Sequence, residues 1–376
     1  MADDELAAAV DELPLVDHHV HGALVGEVDR AGLEALLTES DRPVPAWMTQ
    51  FDSQLGFAVR RWCAPVLDLP PHADAADYVA RRAELGVAEV TRRLLAASGV
   101  EHFLVDAGYG GEVLLSPAEM AAVSGARVDE VVRLETVLED LARSGVGAAE
   151  IPARFPEALA ERTVDAVGLK SVVAYRFGFD FDPERPSEAE VVSAADRWLR
   201  TGGRVEDPVL LRFLLWSGVD RGLPLQLHAG YGDPDVELHR CDPLLLTRFI
   251  KLVEPRGVDL VLLHCYPYHR NAGYLAQVFP HVHFDVGLAV NHTGARSAAV
   301  VAESLELAPF AKVLFSSDAC GPPELHHLGA LLWRRGMRAA LGERVAAGDW
   351  STPDAVRVAR MVGRDNARRL YRLERW

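Results

Sequence analysis

Two histidines near the start of the chain, in Val16-Asp17-His18-His19-Val20-His21-Gly22, are spaced to hold a metal ion. On a strand, side chains alternate between faces, so His19 and His21 share a face and form a two-armed clamp. Three more candidate ligands end apolar runs further along. They are His228 after Leu223-Pro224-Leu225-Gln226-Leu227, His264 after Val258-Asp259-Leu260-Val261-Leu262-Leu263, and Asp318 after Val313-Leu314-Phe315-Ser316-Ser317. Imidazole nitrogen and carboxylate oxygen suit zinc first, with manganese or iron as alternatives. A catalytic cation keeps one position open for water and lowers that water's pKa towards about 7. Asp318 is the expected proton shuttle, whether or not it also touches the metal. For His264 two roles stay open, metal ligand or oxyanion donor.

Lys170, in Val167-Gly168-Leu169-Lys170-Ser171-Val172-Val173-Ala174-Tyr175-Arg176, is a further candidate. A lysine inside an apolar strand is costly unless paired or modified. Carboxylation would turn it into an anionic bridge between two metals. Kept cationic, it would bind a substrate carboxylate. A structural ion pair, with Arg133, Glu135 and Arg176 as its network, is the third reading. Those residues could instead bind the substrate carboxylate, through the planar guanidinium fork. Whether one or two metals are held turns on this lysine.

The strand ends must be brought to one place. Apolar runs near residues 14–20, 101–106, 131–136, 166–174, 223–228, 258–264, 282–287 and 312–317 read as strands. Helical patterns lie between them, among them Leu244 to Val253, Ala298 to Leu307 and Pro323 to Leu341. Near-continuous apolar runs suit parallel strands buried on both faces. Eight strand–helix units predict a (β/α)8 TIM barrel, an α/β fold whose strand ends meet around one axis. Helical inserts are expected at about 23–100 after strand 1, with Ala76 to Ser98 as an example, and at about 177–222 after strand 4. Both follow a strand and so belong at the mouth, where barrels place lids and pockets. No repeat, low-complexity tract or linker divides the chain, so residues 1–376 are expected to form a single barrel domain.

Position separates ligands from decoys. His281-Val282-His283 has the right spacing but begins its strand, so it belongs at the opposite end of the barrel. His18 is expected to face the helix layer. Glu324-Leu325-His326-His327 opens a helix, a place for polar caps. Ala107-Gly108-Tyr109-Gly110-Gly111 follows strand 2 and lacks a dinucleotide fingerprint. Tyr109, His269, Asn291 and His292 lie on mouth loops and are candidate pocket residues.

The 376 residues are 49% hydrophobic and 25% charged, with a formal net charge of -16. That is ample material for a core, and the lack of a Lys/Arg block argues against nucleic acid as a partner. Cys63, Cys241, Cys265 and Cys320 show no C-x-x-C pair and fit a reducing cytosol. The acidic start Met1-Ala2-Asp3-Asp4-Glu5-Leu6 is unlike a signal peptide. No charge-free run of roughly 18 apolar residues is present to span a membrane. The expectation is a cytoplasmic protein with a small-molecule substrate and neither membrane nor nucleic-acid partner; a homo-oligomer stays open.

With these residues assembled, the chain resembles the amidohydrolase superfamily. Its members are metal-dependent barrels with H-x-H on strand 1, His on strands 5 and 6, and Asp on strand 8. His19-Val20-His21, His228, His264 and Asp318 take those places, and Gly168-Leu169-Lys170 looks like the strand-4 lysine of binuclear subtypes. Closer phrases are similar to the amidohydrolase-related branch. They are Leu169 to Arg176, Gln226-Leu227-His228-Ala229-Gly230-Tyr231-Gly232-Asp233, Arg133-Leu134-Glu135 and Asn366-Ala367-Arg368-Arg369-Leu370-Tyr371. That branch includes a barrel fused to glutamine-synthetase-like domains; no such half is seen here, so no synthetase activity is implied. The resemblance implies a metal-dependent hydrolase of amide C–N bonds, with γ-glutamyl amides or other carboxylate-bearing small molecules as candidates. Two alternatives remain: a mononuclear decarboxylase or lyase of the same superfamily, and a catalytically silent barrel used for assembly.

Overall fold

The computed structural model describes residues 2–373. Seven strands form one sheet in sequence order: β1 (Leu15–Val20), β2 (Val100–Asp106), β3 (Arg127–Arg133), β4 (Gly168–Ser171), β5 (Leu225–Ala229), β6 (Leu260–His264) and β7 (Val282–Phe284). Every pairing is parallel, with helices in the connections. β5 and β6 are buried along their whole length. One face meets the barrel interior and the other the helices, which is why their sequences are continuously apolar. β3 stops at Arg133 because Leu134 opens a helix, Leu134–Arg143, whose apolar residues recur at helical spacing.

The eighth strand forms no regular ladder among the described residues. Its segment instead bridges both edges of the sheet. Leu314 N–H donates to the Phe284 carbonyl of β7 at 2.9 Å, and His18 N–H of β1 donates to the Phe315 carbonyl at 3.3 Å. A side chain interrupts the pattern: Ser317 N–H donates to the Asp17 carboxylate at 3.0 Å.

Inside the barrel, Val16, Leu104, Val131, Val261, Leu263 and Leu314 pack against Ala367, Leu370, Tyr371 and Leu373 of the C-terminal segment. Asn366 anchors that segment, donating from Nδ2 to the Phe310 and Val313 carbonyls at 2.7 and 2.8 Å. β1 shifts register between Asp17 and Val20. Such a shift breaks strict alternation of side chains. The expectation that His18 faces the helix layer is therefore corrected. Its ring meets the Tyr371 hydroxyl and the Asp285 carboxylate, among the interior residues.

The inserts are largely helical. Helices Ala75–Leu85 and Val87–Ser98 meet at Gly86, whose φ of 78° favours glycine. Tyr78 and Arg82 both donate to Glu324, at 2.9 and 2.8 Å, pinning the first insert to helix Pro323–Ala346. In the second insert, a Ser187–Glu190 capping box starts helix Glu188–Thr201, and Asp207 with Pro208 starts Pro208–Arg221. No helix of the described residues is long and apolar enough to cross a membrane.

Candidate metal centre

The strand ends bring His19, His21, Lys170, His228, His264 and Asp318 into one buried cluster. Asp318 is its hub. Oδ1 lies 3.2 Å from His19 Nε2 and 3.9 Å from His21 Nε2, and Oδ2 lies 3.4 Å from His264 Nε2. His19, His21 and Asp318 each offer a ligand atom within 4.8 Å of the others. A tetrahedron with zinc–ligand bonds of about 2.1 Å has edges of roughly 3.4 Å. The cluster already has the spacing of a coordination shell. His228 lies beside His264, ring centroids 4.6 Å apart, and its Nε2 is buried with no hydrogen-bond partner among the described residues.

The nitrogens facing Asp318 are set from behind. Gln226 Nε2 donates to the His18 carbonyl at 2.9 Å, so its Oε1 accepts from His19 Nδ1 at 2.8 Å. His21 Nδ1 donates to the Asp106 carbonyl at 3.0 Å. Both rings therefore turn an unprotonated Nε2 towards Asp318. Metal-binding imidazoles are held in this way, with the far nitrogen donating to fix ring and tautomer. The residues present fit a divalent cation.

Burial sets the charges. It holds His19, His228 and His264 well below the ordinary imidazole pKa and His21 at about 4, and the Lys170 charge adds to the effect. Neutral imidazoles are the form that ligates. Burial lowers Lys170 to about 8, against the pull of the Asp106 and Asp318 carboxylates. It pushes the Asp318 carboxyl well up, opposed by Lys170. A bound cation reverses that preference for the protonated acid.

The backbone at two of these ends is strained. His264, Cys265 and Asp318 have φ of 67°, 60° and 51°. Such sparsely populated conformations cost about 1–3 kcal/mol each and need support. His264 N–H donates to the Asp285 carboxylate at 2.8 Å, Cys265 N–H to the Ala229 carbonyl at 2.9 Å, and Asp318 N–H to the His19 carbonyl at 3.2 Å.

A cavity of about 280 Å³ opens over the cluster, and Tyr109, Arg133, Arg176, Asn291 and His292 line it. Glu135 and His269 do not, which corrects their expected placement. Glu135 is buried behind β4, accepting from Ser171 Oγ at 2.6 Å and Val172 N–H at 3.0 Å. His269 is turned to Glu303, 2.7 Å from Nε2. Arg133 is committed to Asp106 at 2.6 Å; burial alone would raise that carboxyl, but Arg133, His21 and Lys170 together outweigh it and bring it to about 2. Arg176 keeps Nε and Nη1 buried without partners among the described residues, and Glu139 stands 3.7 Å from Nη2. His281 and His283 lie at the start of β7, bonded to the Ile250 carbonyl and the Asp259 carboxylate.

Several lining residues were not expected as site residues, among them Glu39, Tyr175, Arg204 and Asp233. Tyr175 and Asp233 sit in the phrases after Lys170 and His228 and could have been found there. Glu39 and Arg204 come from the inserts and carry no spacing signal. A larger cavity of about 980 Å³, lined in part by Arg334, Arg335 and Arg338, contains none of the cluster residues.

Residues 133–373 match the family model described as Amidohydrolase. The chain belongs to the amidohydrolase family. This amidohydrolase is similar to Protein fluG of Emericella nidulans (strain FGSC A4), 34% identical over 234 residues, which cover 58% of this chain and 26% of that protein. It thus spans about a quarter of that relative's length. Among solved structures, a Lactobacillus casei ATCC 334 protein named as a metal-dependent hydrolase is 28% identical, with a TM-score of 0.88 and 98% of both chains covered. A uronate isomerase from Bacillus halodurans C-125 is 15% identical, with a TM-score of 0.66 over 98% of this chain and 96% of its own, a likeness of fold alone.

Proposed function

We propose that this amidohydrolase uses a divalent cation, zinc first, to hydrolyse an amide C–N bond in a small carboxylate-bearing molecule. One observation carries the reading: His19 and His21 donate from Nδ1 to Gln226 and Asp106, leaving both Nε2 atoms facing Asp318. His19, His21 and Asp318 would hold the cation, with His228, His264 and Lys170 beside them. When bound, it supplies Lewis acidity and a water of lowered pKa.

The side chains do the rest. Asp318 takes the attacking water's proton at a carboxylate oxygen and hands it to the departing nitrogen. His228 turns an unpartnered Nε2 to the cavity wall, and the Gly230 and Tyr231 carbonyls beside its ring favour the proton on Nδ1, so Nε2 presents a lone pair there. With two cations, His228, His264 and a carboxylated Lys170 would help to hold the second. Arg176, buried with two unpartnered guanidinium nitrogens, receives the substrate carboxylate.

The test is amine release from a panel of N-acyl and γ-glutamyl amides. Release that stops with chelator and returns with metal is expected. Carbon dioxide release from aromatic or keto acids, without amine release, would assign the decarboxylase alternative instead.

A further inference from the structure

The C-terminal phrase Asn366 to Tyr371 plays no part in the chemistry above, yet it sends one polar group into the barrel. The Tyr371 oxygen accepts from Gln226 Nε2 at 2.8 Å, so its own proton goes to His18 Nδ1 at 3.1 Å. His18 then carries its hydrogen on Nε2 and donates to Asp285 Oδ2 at 2.9 Å. Asp285 Oδ1 accepts the His264 backbone N–H at 2.8 Å. At the other end, His19 Nδ1 donates to Gln226 Oε1. Every proton is assigned, and the direction is the same throughout: His19 to Gln226 to Tyr371 to His18 to Asp285. The chain starts on one proposed ligand and ends on the carboxylate that braces the strained backbone of another.

We propose that Tyr371 is a positioning residue for the metal centre, its hydroxyl fixing the Gln226 amide so that His19 keeps Nε2 free. The inference rests on the metal reading given above. Without the hydroxyl, Gln226 Nε2 retains only the His18 carbonyl, and His18 Nδ1 loses its donor. The His18 carbonyl still favours the same orientation, but with one acceptor in place of two a turned amide, its NH2 group at His19, costs less. An NH2 group there needs an acceptor, which drives the His19 proton to Nε2 and blocks ligation. Head-to-tail hydrogen bonds in a buried setting reinforce one another, so loss of a middle link is felt at the end. Tyr371 also packs as a floor residue, its ring stacked on His18 at 5.9 Å and close beneath Gly168. Phenylalanine keeps that packing and removes only the hydroxyl.

The experiment is Tyr371→Phe in the full chain. It is read by zinc affinity, through competition with a chromophoric chelator, and by the visible bands of the cobalt-loaded protein. Affinity is expected to fall about 10- to 100-fold, the range for partners behind a metal ligand, and the cobalt bands to shift. The thermal midpoint of the metal-free protein is expected to move little. Gln226→Met is expected to lower affinity too, and adding Tyr371→Phe to it to cost less than about threefold more, because one chain is cut once. Wild-type affinity and bands in Tyr371→Phe, or full additivity in the double variant, would overturn the proposal. If Tyr371→Phe does not fold, unchanged affinity in Gln226→Met overturns it. A wild-type chain that binds no divalent cation would overturn the metal reading, and this proposal with it.

Discussion

The Lys170 amine lies 3.1 Å from His19 Nε2, the same nitrogen that faces Asp318 at 3.2 Å. An ammonium at that distance donates to the lone pair a cation needs, so the two compete. Burial has already brought Lys170 down to about 8. Metal binding near neutral pH is therefore expected to displace a proton from Lys170. Calorimetry in buffers of different ionisation heat reads this directly. Lys170→Met is expected to release about one proton fewer than wild type. Equal release from both would show that the amine does not contend for the site.

Asp318→Asn is expected to lower kcat about 10²- to 10⁴-fold, the usual worth of a positioned acid–base group. The fold is expected to survive, because asparagine has the same shape and tolerates the φ of 51° at this position. Near-normal turnover would remove Asp318 from the proton path.

Arg176→Gln is expected to raise KM for a carboxylate-bearing substrate. Hydrogen bonds to charged groups contribute about 1.5–3 kcal/mol, or about 10- to 150-fold. The methyl ester of the same substrate is expected to show little change. An equal loss for both would mean that Arg176 acts on the structure and not on the carboxylate.

Glu324 holds Tyr78 and Arg82 under the first insert, in a setting where Arg82 is 2% exposed. Glu324→Leu leaves that guanidinium buried without a carboxylate, which costs about 3–5 kcal/mol. Urea denaturation checks this. Combining it with Arg82→Met is expected to recover much of the loss, since replacing both charges by apolar groups removes the penalty.

Acid stability follows from the buried helix start at His326 and His327, both lowered to about 4 by burial. An unfolded histidine titrates near 6.5. Between about pH 6.5 and 4 the unfolded chain binds more protons, so stability falls as pH falls. Each histidine contributes a slope of up to about 1.4 kcal/mol per pH unit in that window, and none above it. Denaturation of metal-free protein across the window checks the slope, and His327→Leu is expected to flatten it.

The site was legible where buried strands end. An apolar run such as Leu260 to Leu263 must stop where the barrel meets solvent, so the polar residue that follows, His264, marks the mouth. The same logic put His281 and His283 at the far end. Strict alternation failed at His18, because the register shift in β1 follows from closing the barrel against residues 313–318, some 300 positions away. Glu135 read as a pocket residue from its neighbours, but the helix that opens at Leu134 turns it to the backbone after Lys170. Glu39 and Arg204 reach the cavity only through the path of the inserts, which no local spacing encodes.

Metal content per chain is the most direct measurement. Protein purified without chelator at controlled carbonate, and assayed by elemental analysis, is expected to hold at least one divalent cation. His19→Ala with His21→Ala is expected to lose it. A second cation that disappears when carbonate is withdrawn would assign Lys170 as a carboxylated bridge. Wild-type protein that retains no divalent metal, and whose thermal midpoint added zinc fails to raise, would contradict the metal centre.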